Sequence, residues 1–262
     1  MKPDSRGTGP TRWKLGGRMG RWLVAGLSVL LMSCGGGQED APAGRVARVL
    51  QEPVAVGEPR GDPAVLMQDD LYALRYIASY ADLIQALGAD PAAARAHYAA
   101  AGRAEGRTVS FDPTAYTASY ADLIRAFGVD ALAATRHFIV YGWREGRRPT
   151  FDALRYEASY GDLIEAFGLD PAAAARHYIV NGFAEGRTST FDALRYEASY
   201  ADLIEAFGTD TAAATRHYIS MGYREGRRIT FDPVRYLAGY PDLQAAFGSD
   251  ADAATLHFIR YG

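Results

Sequence analysis

The chain has five histidines, His97, His137, His177, His217 and His257, spaced at a constant 40 residues. Each of the first four is followed by a Glu-Gly-Arg turn: Glu105/Arg107, Glu145/Arg147, Glu185/Arg187 and Glu225/Arg227. Aspartates recur upstream, as Asp192, Asp202 and Asp210 in one stretch. Imidazole, carboxylate and guanidinium are the groups of metal binding and proton transfer. Their spacing argues against both. Stacked helices lie about 8–10 Å apart, so equivalent histidines in successive units are held at least that far from one another. Zinc needs ligand nitrogens about 2.0–2.1 Å away. No unit supplies a second histidine or a cysteine. The histidines therefore read as half-buried structural residues, bonded to a backbone carbonyl or to the glutamate of the turn. Calcium needs about six to eight converging oxygens, whereas the aspartates sit at helix starts, where capping accounts for each. No metal or cofactor is expected.

The Glu-Gly-Arg turns are expected to make charge-assisted bonds across unit boundaries, with Arg136, Arg176 and Arg216 as candidate partners of the glutamates. One glutamate per unit gives no pair of carboxylates for glycoside hydrolysis. One slot keeps its bulk in three units while its identity changes: Arg103, Trp143, Phe183, Tyr223. Aromatics repeating once per unit make a stacking ladder for a glycan or, alternatively, packing between units. Trp143, Phe183 and Tyr223, with Met221, Arg224 and Arg228 nearby, mark the candidate ligand-binding edge.

These residues are positioned by a repeat. Residues 151–190 and 191–230 differ at 10 of 40 positions. The same frame fits 71–110, 111–150 and, cut short, 231–262, without insertion or deletion. A fixed period of this length decides the architecture. Each unit carries three helical signals. The first opens at Asp112, Asp152, Asp192 or Asp232, with Pro113 and Pro233 at the first helical position, a start signal with a mechanism. The second opens at Ser-Tyr-x-Asp (199–202), the spacing of a capping box. Tyr200, Leu203, Ile204 and Phe207 then form one apolar stripe, closed by Gly208 as a left-handed cap. The third opens at Asp210 and closes at Gly222. Three short helices cannot bury their apolar faces alone, whereas stacked units can. The fold class predicted is all-α: a right-handed, solenoid-like array of five units.

The unit FDxxxYxASYxDLIxAFGxDxxAAxxHYIxxGxxEGR resembles a tandem helical repeat of secreted and surface proteins of bacteria, often placed beside hemolysin-type calcium-binding modules. The resemblance covers residues 71–262. It implies an extracellular setting and no activity of its own. The calcium-binding nonapeptide GGxGxD is absent, so that module's chemistry does not carry over.

Residues 1–21 are basic, with Lys2, Arg6, Arg12, Lys14, Arg18 and Arg21 against Asp4. An apolar run from Trp22 to Met32 follows, then Ser33 and Cys34. This is the pattern of a signal peptide, 1–33, and it is too short for a spanning helix of about 20 residues. Leu31-Met32-Ser33-Cys34 resembles the bacterial lipobox, which implies lipidation of Cys34, the only cysteine. Cleavage elsewhere with Cys34 a bystander, or a plain N-terminal anchor, are the alternatives. A lone thiol in an exported protein forms no internal disulfide, and several acyl chains anchor firmly where one does not. By analogy with enteric lipoproteins, Gly35 favours the outer membrane. Residues 34–70, with Pro42, Pro53, Pro59 and Pro63, read as a flexible linker with a reach of roughly 30–35 Å. The alternative for 64–70 is a cap on the first unit.

Neither a P-loop, a Rossmann fingerprint, G-x-S-x-G nor H-E-x-x-H occurs. Net charge is −3, which gives no nucleic-acid footprint. The expectation is a non-enzymatic, exported, lipid-anchored binding or scaffolding protein of the bacterial envelope, with an envelope protein or polysaccharide as partner. The alternative is a glycan or cell-wall-polymer module using the aromatic edge.

Overall fold

The computed structural model describes residues 61–262. The stretch read as a signal peptide, Cys34 and the stretch read as a linker up to residue 60 lie outside the described residues. Within them the chain is helical, in tandem repeats of about 40 residues, and contains no strand. A short α1 (Pro63–Leu66) precedes repeat 1, which holds α2 (Asp70–Ala78), α3 (Ala81–Leu87) and α4 (Pro91–His97). Repeat 2 holds α5 (Pro113–Ala118), α6 (Ala121–Phe127) and α7 (Ala131–His137). Repeat 3 holds α8 (Ala153–Ala158), α9 (Gly161–Phe167) and α10 (Pro171–His177). Repeat 4 holds α11 (Ala193–Ala198), α12 (Ala201–Phe207) and α13 (Thr211–His217). Repeat 5 holds α14 (Pro233–Ala238), α15 (Pro241–Phe247) and α16 (Ala251–Tyr261).

The first and third helices start where the aspartates predict. Asp112, Asp152, Asp192 and Asp232 cap the first helices of repeats 2 to 5, each accepting backbone N–H groups through Oδ1. In repeat 1 the equivalent place is Tyr72, and the cap moves back to Asp69. Asp90, Asp130, Asp170, Asp210 and Asp250 cap the third helices in the same way.

The second helix starts differently from the sequence expectation. Its N-cap is Tyr80, Tyr120, Tyr160, Tyr200 or Tyr240, and none makes a side-chain cap bond. The serine of the supposed capping box belongs to the end of the first helix. Ser199 Oγ donates to Arg195 O and accepts from the N–H groups of Thr230 and Phe231, where the next repeat begins. Ser79, Ser119 and Ser159 repeat this stitch. The second helices end at glycines with φ between 53° and 63° as expected. Gly208 ψ is −96°, so the cap is not left-handed helical. It is a conformation open in practice to glycine alone.

The third helix closes at the predicted glycine, but its last turn is not α-helical. After the histidine it widens into one π-helical turn in repeats 1 to 4: Tyr98–Gly102, Phe138–Gly142, Tyr178–Gly182 and Tyr218–Gly222. Tyr223 N–H donates to Tyr218 O, five residues back, at 2.8 Å. A π turn inserts one residue and re-aims the chain beyond it. Helix α16 stays α-helical to Tyr261.

Stacking follows one rule. The first helix of a repeat packs on the third helix of its own repeat and on the third helix of the next. Tyr76, Tyr116, Tyr156 and Tyr196 at the centre of this sandwich are fully buried, as are Ala94, Ala134, Ala174, Ala214 and Ala254. Alanine lets the helices close up while tyrosine fills the space beside it. Burying one such ring, about 150–250 Å² at about 25 cal/mol per Å², is worth about 4–6 kcal/mol before entropy is counted. Residues 61–70 are part of the folded structure rather than linker from Pro63 onward. Met67 is 2% exposed, and Arg95 donates to the carbonyls of Met67 and Gln68 and pairs with Asp70. Of the two readings of 64–70, the cap is the one observed.

Candidate functional site

The ionisable side chains of the unit are tied to one another inside each repeat. His97, His137, His177, His217 and His257 each place Nδ1 2.9–3.0 Å from the hydroxyl of Tyr76, Tyr116, Tyr156, Tyr196 or Tyr236, 21 residues upstream. The expected partners, a backbone carbonyl or the turn glutamate, are replaced by tyrosine. The reason is geometric: the tyrosine comes from the first helix, which faces the third. Burial pushes the Tyr76 and Tyr156 hydroxyls up to about 12. His217 is 2% exposed. Burial first, and the Arg227 charge second, hold it below the usual histidine range.

The arginine of the turn is held from three sides. Arg227 donates through Nε to Glu225 at 2.6 Å and through its two terminal nitrogens to Asp202 at 3.0 and 2.8 Å. Its guanidinium lies 4.8 Å from the Tyr200 ring centroid. Arg107, Arg147 and Arg187 repeat the arrangement with Asp82/Glu105, Asp122/Glu145 and Asp162/Glu185. The hydrogen bonds from Arg147 and Arg227 hold Asp122 and Asp202 below the usual carboxylate range. This corrects the sequence reading at three points. The bonds close within a repeat, not across its boundary, and the partner of Glu225 is Arg227, not Arg216. The aspartate read as a helix cap is the counter-ion.

Trp143, Phe183 and Tyr223 are half-buried and pack between repeats. Trp143 joins the core built around repeat 1. Phe183 packs with Ala118 and Ile124 of repeat 2, and Arg125 sits 5.2 Å over its ring. Tyr223 packs on the repeat 3 side and donates to Glu165 at 2.9 Å. A Cβ on Gly161 would collide with the Tyr223 ring. The slot thus faces the second helix of the preceding repeat, and its identity matches what it meets there.

Two cavities in the described residues lie elsewhere, at the starts of the first helices. One, of about 390 Å³, is lined by Asp112, Phe151, Asp152, Leu154, Pro171 and Arg216, among others. The other, of about 400 Å³, is lined by Asp152, Leu154, Phe191, Asp192, Leu194 and Thr211, among others. The second set is the first moved on by one repeat: Asp112 becomes Asp152, Phe151 becomes Phe191, Asp152 becomes Asp192, Leu154 becomes Leu194, Pro171 becomes Thr211. Asp152 and Leu154 line both cavities, so the two form one groove with the period of the array. None of Trp143, Phe183 and Tyr223 is among the residues lining it. Sequence reasoning passed over Leu154 and Arg216 as groove residues, because neither belongs to a motif. The available signal was that both recur in register and neither is needed for a cap. No group of three or more metal-ligating side chains suited to an ion occurs among the described residues.

No protein-family model matches the chain, and comparison with curated proteins and with solved structures gives no match.

Proposed function

We propose that this protein is an exported, lipid-anchored, non-catalytic array of the bacterial envelope that presents a binding or scaffolding surface. The observation that carries this reading is the repeated use of the chemistry-bearing residues as internal fasteners. In four successive repeats the same Asp, Glu and Arg are bonded to one another, and in five the same Tyr and His. A side chain bound in this way in every unit serves the unit, and what the array offers outward is its periodic groove. Export and anchoring rest on the N-terminal pattern: a basic stretch, an apolar run and Cys34 in a lipobox-like setting.

Cell fractionation tests the setting. Labelled palmitate should enter the wild-type chain and not Cys34→Ala, and the variant should leave the membrane fraction. Palmitate-free wild-type protein recovered from the cytoplasm would sink the reading. Cross-linking in intact cells tests the surface: one envelope component should be trapped reproducibly by the folded array, and trapping no component would count against it.

A further inference from the structure

The groove has a composition that names a ligand class. Its carboxylates, Asp112, Asp152, Asp192 and Asp252, outnumber the guanidiniums of Arg155 and Arg216. The first three aspartates cap helices through Oδ1 alone, and their Oδ2 atoms take no hydrogen bond among the described residues. Between the charges lie aliphatic side chains, chiefly Leu154 and Leu194. The aromatic rings in the lining are occupied: Phe151 stacks on Tyr178 at 4.5 Å and Phe191 on Tyr218 at 4.6 Å. Arg216, which lines the groove, adds an unmet donor, since its guanidinium makes no hydrogen bond or ion pair among the described residues.

The array already shows what an arginine Nε in this fold binds. Arg75, Arg155 and Arg195 each donate from Nε to the carbonyl of Phe111, Phe191 or Phe231. These phenylalanines end the non-helical segments that link one repeat to the next. The same segments are held by the serine stitches and by tyrosine hydroxyls, as where Tyr160 accepts from Thr188 N–H at 2.8 Å. The repeats thus hold non-helical polypeptide through backbone groups four times along their own length.

We propose, building on the binding function above, that the groove takes an extended polypeptide segment carrying basic and aliphatic side chains. A backbone carbonyl of that segment accepts from a terminal guanidinium nitrogen of Arg216. Its aliphatic side chains meet Leu154 and Leu194, and its lysines or arginines meet Asp112, Asp152 and Asp192. Main-chain bonds give such a site its affinity and alternate side chains its selectivity. The period of the groove suits a segment that crosses more than one repeat.

The test uses the full-length protein and fluorescence anisotropy of a labelled peptide of about ten residues alternating valine and lysine, long enough to be read as a strand. A valine–glutamate peptide and an oligosaccharide of N-acetylhexosamines serve as comparison probes. Three variants probe the groove without threatening the fold. Arg216→Leu and Leu154→Thr introduce residues that repeats 5 and 2 carry at those places, Leu256 and Thr114. Asp152→Asn keeps a good cap. The valine–lysine peptide is expected to bind, and each variant to weaken it about three- to tenfold. The loss for Asp152→Asn should shrink as salt rises. Equal binding by all three variants, absence of peptide binding, or preference for valine–glutamate overturns the proposal. Binding of the oligosaccharide in place of the peptide also overturns it, while leaving the envelope-surface function standing. That function fails separately, by loss of anchoring or of cross-linked partner.

Discussion

Nδ1 of His217 lies 2.9 Å from the hydroxyl of Tyr196, and both side chains are buried at the centre of repeat 4. The pair joins the first helix of the repeat to the third. Burial holds the imidazole below its usual range and pushes the phenol above its own. A neutral ring and a neutral phenol therefore share one hydrogen bond at Nδ1. Four further Tyr–His pairs share the geometry, with His97, His137, His177 and His257 less buried than His217.

Acid should weaken repeat 4 through His217. Its folded-state affinity for protons is below that of the unfolded chain, where histidine titrates near the ordinary value of about 6.5. Between the two values the unfolded chain binds more protons, so stability is fully present above about pH 6.5 and falls as pH drops through the depressed range. Proton NMR of the imidazole should place the His217 titration below the ordinary histidine value of about 6.5. Tyr196→Phe removes the bond and leaves Nδ1 unsatisfied, at a cost of about 1–3 kcal/mol in denaturant unfolding. A His217 that titrates at or above about 6.5 would refute this account.

Gly222 is required for space rather than for backbone freedom. Its φ is not positive, yet a Cβ there would collide with the Tyr196 hydroxyl. Gly222→Ala should therefore destabilise by about 1–3 kcal/mol, as overpacking does. Adding Tyr196→Phe, which removes the obstructing oxygen, should return part of that loss. Gly226 provides the contrast, with φ 70° and open space around it. Gly226→Ala costs about 1–2 kcal/mol through the backbone, and Tyr196→Phe should not relieve it. Thermal melts of the wild type and these variants distinguish the two reasons for glycine.

The starts of the first and third helices were legible because an aspartate cap is local: Asp152 and the N–H it serves lie three residues apart. The period and the all-α class followed from repetition and apolar spacing. Ser199 was misread because its partners, Thr230 and Phe231, lie 31 and 32 residues away, beyond any local motif. The tyrosine partner of each histidine was missed for the same reason, a separation of 21 residues. The π turn left no mark that a single unit reveals. Glu157 and Glu197 gave no warning, since glutamate in a short helix ordinarily points to water.

The junction of repeats 3 and 4 should tolerate exchange only in matched sets. Tyr223 meets Gly161 and Glu165, whereas the equivalent Phe183 meets Arg125 in a repeat that carries Ala121. Gly161→Ala alone should lower the melting temperature by forcing the Tyr223 ring aside. The triple change Gly161→Ala, Glu165→Arg, Tyr223→Phe copies the neighbouring junction and should melt above Gly161→Ala. If the triple variant melts at or below the single one, position 223 is not matched to the helix it covers.

Glu157 and Glu197 are fully buried, and none of their carboxyl oxygens has a hydrogen-bond partner among the described residues. Ile77, Thr117 and Leu237 occupy the same place in the other repeats, and Thr117 satisfies its hydroxyl on Pro113 O at 2.9 Å. Burial first, and then Asp170 or Asp210, push the two glutamates up to about 8. At neutral pH they keep their protons, which the unfolded chain has already released. The folded state thus binds more protons than the unfolded one between about pH 4.5 and 8. Their contribution is fully present below about pH 4.5 and is lost as pH rises through 8, by at most about 1.4 kcal/mol per pH unit for each carboxyl. Glu157→Leu with Glu197→Leu restores the apolar residue seen in repeat 5 and removes both carboxyls. Urea unfolding from about pH 5 to 9 should show a falling midpoint toward alkali in the wild type and a higher, flatter one in the double variant. The two glutamates carry opposite pH dependence to His217, so in the double variant the acid-side loss should survive while the alkaline-side loss disappears. Parallel midpoint curves for the two proteins would show that the carboxyls are ionised or solvated in the folded array.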